Sequence, residues 1–184
     1  MPSLEEKVNG LIKEGKPVRL HLGCGPKIIE DYINCDIVID PRIIYYDLTK
    51  PLPIRDNVVD DILSVHVIEH ISRHLIISIF IEWYRVLKPN GFVAVEWPDL
   101  LKACKEVVNN PDCFWSNSDP LVKRTLRSIY GDYTKYPDIS MVHKWGYSAE
   151  SMTRILKTVG YSKVEIQTNL YGKTFVDSRV VGYK

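Results

Sequence analysis

Hydrophobic and polar positions alternate along the chain in short blocks, and the blocks define most of its elements. Residues 18–23 read VRLHLG and run into Gly23-Cys24-Gly25-Pro26, the kind of break that ends a buried strand in a glycine turn. Residues 32–36 (YINCD) and 43–47 (IIYYD) are two further short runs rich in β-formers, each stopping at an aspartate, with Pro51 and Pro53 marking the loop beyond. A fourth strand is predicted over residues 60–65 (DDILSV). Ser72 is then placed to cap a helix whose apolar positions Leu75, Ile79, Trp83, Val86 and Leu87 recur on one face, and Lys88-Pro89-Asn90-Gly91 ends it. Residues 92–97 (FVAVEW) form a fifth strand, followed by Pro98 in the first turn of the helix DLLKACKEVV and a stop at Asn109-Asn110-Pro111. Residues 112–147 break this rhythm: the segment is long, polar and aromatic, helical only around 121–129, and reads as an inserted lid. Residues 148–159 resume as a capped helix ended by Gly160, and residues 163–168 and 174–182 close the chain as two strands joined by a turn at Tyr171-Gly172.

Alternation of strand and helix, with strands that are nearly continuously apolar, predicts an α/β fold whose sheet is covered by helices on both faces. The expected architecture is Rossmann-like and doubly wound, with a mostly parallel seven-stranded sheet. Five parallel strands are extended by a terminal antiparallel pair, and the C-terminal strand is antiparallel. The 184 residues fit one domain, 1–184, with 112–147 as its lid and acceptor segment.

Composition narrows the function classes. Lysine and arginine (24) nearly balance aspartate and glutamate (23), so the basic excess that phosphate-rich partners require is missing and nucleic acid is not an expected partner. Residues 1–16 carry lysines and glutamates through a weakly amphipathic stretch without the apolar run of a signal peptide. The most apolar helical stretch, residues 75–87, is interrupted by Glu82 and Arg85 and too short to span a bilayer. The four cysteines (Cys24, Cys35, Cys104, Cys113) form no C-x-x-C pair, which speaks against a zinc ribbon or a disulfide scaffold and fits reduced thiols in a cytoplasm.

Three features fall at the carboxyl ends of the first three predicted strands, where open α/β sheets bind ligands. Gly23-Cys24-Gly25 allows close backbone approach and positive φ, and exposed N–H groups there suit a carboxylate. Asp36, ending strand two, is placed to accept hydrogen bonds from the two hydroxyls of a ribose; a turn-forming aspartate is the plainer alternative. Asp47, ending strand three, can accept from an adenine amino group with Leu48 flanking the ring, or simply cap a loop. Only ten residues separate Gly25 from Asp36, so at about 1.5 Å per residue the crossover holds a turn or two of helix at most. Asp40 competes for the ribose role, but its neighbour Pro41 suggests a loop.

Taken in order, HLGCGP, NCD, YYDLTKPLPIRDNVVDDILSVHVIEHI and EWYRVLKPNGFVAVEWPD resemble successive motifs of the class I S-adenosylmethionine-dependent methyltransferases, over residues 18–101. The resemblance is to small types like those of quinone or glycan metabolism. It implies S-adenosylmethionine as cofactor and S-adenosylhomocysteine as product, with Gly23, Cys24 and Gly25 around the methionine part, Asp36 on the ribose, Asp47 and Leu48 at the adenine, and His66 beside the methionine. It also implies methyl transfer to oxygen or nitrogen of a small molecule, with sugars and aromatic rings as candidate acceptors. One departure is His21, two residues before Gly23, where many members carry an acid that orients the methionyl amine.

His66, Glu69 and His70 spell H-x-x-E-H, a spacing also found in zinc peptidases. There the run lies within a helix; here a strand-like stretch precedes it and a helix start follows, so the histidines need not share a face, and no further ligand is evident in the sequence. No metal is therefore expected. Instead Glu69 and His70 begin the wall of an acceptor pocket, and His66, His70 and His143 are the candidates to take an acceptor proton, each with a structural role as the alternative. The lid contributes Phe114, Trp115, Tyr130, Tyr133, Tyr136, Trp145 and Tyr147, seven of nineteen aromatics, which suit either a flat acceptor or the pinning of a long loop. A nicotinamide oxidoreductase would need a third glycine where Ile28 stands, and a nucleic-acid amino methyltransferase an N/D-P-P-Y-like turn where HVIEH stands. A catalytically silent relative that binds without turnover is the remaining alternative, and the retained Asp36 and Asp47 oppose it.

Overall fold

The computed structural model of the protein describes residues 2–111, 120–132, 141–172 and 175–184. The chain begins with α1 (Leu4–Lys13), followed by β1 (Arg19–Leu22), β2 (Ile33–Asp36), β3 (Ile44–Tyr45) and β4 (Val59–Val65). Then come α2 (Ile76–Val86), β5 (Leu87–Pro98), α3 (Leu100–Asn109), α4 (Pro120–Tyr130), α5 (Ala149–Val159), β6 (Lys163–Gln167) and β7 (Asp177–Tyr183). The strands form one seven-stranded sheet in the order β3-β2-β1-β4-β5-β7-β6. Strands β1 to β5 are parallel, and β7 runs antiparallel to both β5 and β6. The expected Rossmann-like architecture with an antiparallel C-terminal strand is the one found.

Period-2 alternation on the central strands separates two cores of unequal size. Leu20, Leu22, Ile62, Val93, Val95, Trp97 and Val180 join a large cluster with α1 (Leu4, Val8), α2 (Ile76, Ile79, Phe80, Trp83, Val86) and α5 (Ala149, Met152, Leu156). Among the described residues the opposite face holds only Leu63, Val65, Ala94 and Val181, covered by Ile29, Tyr32, Phe92, Tyr171 and Tyr183. Its thinness follows from the short β1–β2 crossover, which contains no helix at all. A buried ion pair completes this second face. Glu96 Oε1 accepts from Arg179 Nη1 at 2.6 Å, and the two Glu96 carboxylate oxygens also accept from the backbone N–H groups of Leu170, Tyr171 and Gly172.

Several boundaries differ from expectation. The stretch 1–16, read only as weakly amphipathic, contains α1 behind a capping box in which Ser3 and Glu6 each bond the other's backbone N–H. Ser72 does not cap α2. Its carbonyl accepts from Leu75 N–H in a preceding turn, and the helix begins at Ile76 with Leu75 exposed rather than on the buried face. Lys88-Pro89-Asn90-Gly91 both ends α2 and opens β5: Leu87 already pairs with Val59, and a register shift follows before Asp61 pairs with Phe92. Asn90 absorbs the bend at φ 66°, and Gly91 has no room for a Cβ, which would lie 2.8 Å from the Asp60 carbonyl oxygen. Pro98 ends β5 instead of starting a helix, and Asp99 caps α3 by accepting from Leu101 and Lys102 N–H. Strand β3 is only two residues, stopping short of Asp47, and β7 starts at Asp177; Thr174 lies outside the described residues.

Within the lid segment the described portion contains α4 and a bridge between Gly131 and Val142. Phe114, Trp115, Tyr133 and Tyr136 lie outside the described residues. Among the described residues no helix is long and apolar enough to cross a membrane.

Candidate functional site

Parallel order brings the ends of β1, β2 and β4 to one edge of the sheet, and the antiparallel β7 delivers its first residue, Asp177, opposite Pro98 at that same edge. The glycine turn after β1 folds onto β2: Gly23 and Cys24 N–H both donate to the Cys35 carbonyl, at 2.8 and 3.1 Å. Gly23 (φ 73°) could carry no side chain, because an added Cβ would lie 2.2 Å from Val67 Cγ2. Gly25 (φ 52°) donates its N–H to Asp36 Oδ2 at 2.7 Å. The expectation of exposed N–H groups is thereby corrected: all three amides are taken inside the protein, because the turn closes on the neighbouring strand. What the loop offers a ligand is close approach at Gly25, where an added Cβ would meet open space. Burial, with the Asp36 charge nearby, pushes the Cys24 thiol up to about 12, so it is not a nucleophile.

Asp36 is part-buried at the β2 end. Besides Gly25 it receives Val38 N–H on Oδ1 at 3.1 Å, and since each carboxylate oxygen can accept twice, capacity remains on both. Ile37 follows it, half-exposed, an apolar neighbour that the sequence pattern did not single out. Asp47 makes the loop cap that was its alternative role, Oδ1 accepting from the Thr49 N–H and hydroxyl at 2.9 and 2.7 Å. These bonds hold its pKa below the usual value. Leu48 packs against the large core. Asp40 is engaged with Arg42 in an exposed loop. His21 does not face the ligand edge; it is 2% exposed, with Nδ1 3.0 Å from Asn34 Oδ1, and burial lowers its pKa.

His66 leaves the tip of β4 in a left-handed conformation (φ 56°), its N–H donating to the Glu96 carbonyl at 2.8 Å. A bulky residue rarely sits there, and such outliers gather at functional sites. The imidazole lies between two carboxylates, Nδ1 3.4 Å from Glu69 Oε1 and Nε2 3.7 Å from Asp177 Oδ2. Burial works against its charge, but Asp177 and Glu69 outweigh that and raise its pKa to about 10. Asp177 is the residue beside His66 that sequence reasoning missed, since it fell inside the strand expected over 174–182 and nothing local announced that it opens β7 at the ligand edge.

The H-x-x-E-H run turns through a 3-10 turn, Ile68–His70, and not a helix. Even so, His70 and His143 meet: their ring centroids are 4.8 Å apart, edge to face. Two amides dock residue 143's neighbours onto the turn, Lys144 and Trp145 N–H donating to the Glu69 carbonyl at 2.8 and 3.3 Å. All three candidate histidines therefore gather around Glu69. Of the described lid aromatics, Tyr147 is core, Tyr130 is exposed, and Trp145 is 44% exposed with the Arg73 guanidinium 4.8 Å over its ring.

The sheet order, with the carboxyl-terminal strand β7 reversed between β5 and the edge strand β6, is the fold of the class I S-adenosylmethionine-dependent methyltransferases. Residues 27–95 match the family described as the methyltransferase domain. Solved structures agree on the fold. A SAM-dependent methyltransferase from Archaeoglobus fulgidus is 16% identical with a TM-score of 0.60, the match covering 97% of this chain and 93% of that one. The 1,6-didemethyltoxoflavin-N1-methyltransferase of Burkholderia thailandensis, solved with its substrate and S-adenosylhomocysteine, is 13% identical with a TM-score of 0.57, covering 95% and 74%. A Thermotoga maritima protein described as a possible histamine N-methyltransferase is 15% identical with a TM-score of 0.53, covering 96% and 87%. No curated protein sequence matches the chain.

Proposed function

We propose that the chain is an S-adenosylmethionine-dependent methyltransferase acting on oxygen or nitrogen of a small molecule. The observation that carries this reading is the Gly25–Asp36 contact: a turn open to close approach at Gly25 and a carboxylate with spare acceptor capacity meet at the edge where a nucleoside would lie. Asp36 takes the ribose hydroxyls, Ile37 and Leu48 border the adenine, and Asp47 keeps Oδ2 for its amino group. When bound, the cofactor supplies an electrophilic methyl on a sulfonium, displaced in line as the acceptor's bond to carbon forms and the sulfur leaves as a neutral thioether.

The chain's own work is then alignment and exclusion of water. Gly23 and Gly25 let the methionine part approach the β1 turn. His66, fixed between Glu69 and Asp177, is a hydrogen-bond donor beside it. Trp145, with Arg73 above it, offers a flat surface to a ring or sugar acceptor near His70 and His143. The test is calorimetric titration with S-adenosylmethionine and S-adenosylhomocysteine, with reduced nicotinamide dinucleotide as control. Binding of the first two alone is expected; silence with both would overturn this reading. Asp36→Ala should weaken binding by about 1.5 to 3 kcal/mol, the range for hydrogen bonds to a charged group. Asp36→Asn, which keeps an acceptor for Gly25 N–H, separates loss of ribose contacts from loss of the turn.

A further inference from the structure

The fold supplies what the H-x-x-E-H spacing by itself lacks, a third ligand from far along the chain. Glu69, His70 and His143 each bring one potential ligand atom within 4.8 Å of the others. The Glu69 carboxylate is 1% exposed, and among the described residues neither of its oxygens accepts a hydrogen bond. A buried carboxylate normally fills its lone pairs with hydrogen bonds, and Glu69 has ion-pair attraction alone. His66 at 3.4 Å supplies attraction without an aligned hydrogen bond. His70 Nδ1 is likewise buried with no hydrogen-bond partner.

The orientation of His143 adds an independent mark. Its Nδ1 lies 3.1 Å from the Ser128 carbonyl oxygen, which can only accept. Nδ1 therefore carries the proton and Nε2 keeps its lone pair. A backbone carbonyl holding the far nitrogen of a ligating imidazole is the usual outer support of a metal-bound histidine. The backbone bonds from Lys144 and Trp145 to Glu69 fix this loop against the turn, so the three side chains belong to one rigid unit.

The geometry points to a divalent transition-metal site made by Glu69, His70 and His143. Two imidazoles and one carboxylate suit Zn²⁺ and its first-row neighbours; Mg²⁺ and Ca²⁺ prefer oxygen ligands throughout. At metal–ligand distances of about 2.0–2.2 Å, tetrahedral ligand atoms stand about 3.3 Å apart, so modest side-chain rotations close the set. Three protein ligands leave a fourth position for water or another oxygen, the arrangement of open rather than purely structural zinc sites. On this assignment His70 and His143 hold the ion instead of accepting an acceptor proton.

The test uses the full chain freed of metal with a chelator and titrated calorimetrically with Zn²⁺ and separately with Mg²⁺, with Co²⁺ absorption reporting the coordination. One Zn²⁺ per chain and no Mg²⁺ binding are expected. Glu69→Gln and His143→Ala should each lower Zn²⁺ affinity at least about tenfold, while His74→Ala, an exposed histidine outside the cluster, should leave it unchanged. Circular dichroism checks that the variants fold, and His143→Ala, at a partly exposed position, serves if Glu69→Gln does not. No saturable Zn²⁺ uptake by the unmodified chain, or equal uptake by a folded His143→Ala variant, would overturn the site. Titrating the same samples with S-adenosylhomocysteine keeps the two readings apart: Zn²⁺ without nucleoside binding would sink the methyltransferase and spare the metal site, and the reverse result would do the opposite.

Discussion

Glu96 shows how one side chain can hold two parts of this molecule together. It is fully buried, pairs with Arg179, and collects three amides of the 170–172 loop. Truncating it leaves the Arg179 charge buried and unpaired, so Glu96→Ala should cost about 3 to 5 kcal/mol, read from the denaturant midpoint. A loss under about 1 kcal/mol would mean that water reaches Arg179 in the variant. Nothing nearby in sequence announces this role, because the partner lies 83 residues away. The same holds for Asp99, whose Oδ2 accepts from Ala149 N–H and the Ser178 hydroxyl across the fold. The position of Asp36, by contrast, was legible: it ends β2 beside the glycine turn, and both are local patterns. Asp177 was not, and His143, though named as a candidate, could not be placed beside Glu69 from sequence, since only the reversal of β7 and the docking of residues 144 and 145 put them there.

Among the elements, chemical punctuation at helix ends was an uneven guide: it gave α5, went unread at the Ser3 and Glu6 box of α1, and misled at Ser72. Residues 148–159 carried both signals, and α5 has them: Ser148 and Ser151 form a capping box, and Gly160 closes the helix at φ 117°. Ser148→Ala should lower stability by about 1 kcal/mol, seen as a fall in Tm, since it removes the acceptor for Ser151 N–H. An unchanged Tm would mean that packing of Met152 and Leu156 carries α5 without its cap. The start of α2 misled because Ser72 has the right residue type, yet the turn through residues 72–75 intervenes and Leu75 caps nothing with its side chain. The opening of β5 misled for a related reason: Lys88-Pro89-Asn90-Gly91 looks like a plain loop, and only its pairing with β4 shows that it bends within a strand.

For the molecule as a whole, the uneven cores set its response to acid. The large face relies on apolar packing, whereas the thin face depends on an ionised Glu96. Burial opposes that charge, but the amides of Leu170, Gly172 and Tyr171 and the Arg179 guanidinium outweigh it and keep the pKa below the ordinary 4.5. A carboxylate depressed on folding stabilises the protein fully above its unfolded pKa, and that contribution is lost as pH falls through the folded value. Denaturant midpoints should therefore drop steeply in acid for the natural chain and less steeply for Glu96→Gln; parallel curves would assign acid sensitivity to other groups.

The helix-free crossover after β1 shapes the motions expected of the ligand edge. Beyond the glycine turn, its side-chain hydrogen bonds come from Asn34: Oδ1 accepts from Ile29 N–H, while Nδ2 donates to the Ile29 and Tyr32 carbonyls, each at 3.0 Å. A segment held this way can open without unfolding the sheet. Amide protons of Lys27 and Ile29 should exchange with solvent deuterium well before those of β1 and β4, and Asn34→Ala should hasten them while leaving the sheet untouched. A nucleoside seated on this turn would slow the same protons, so the rate at which the loop breathes would set the upper limit on how fast that nucleoside escapes.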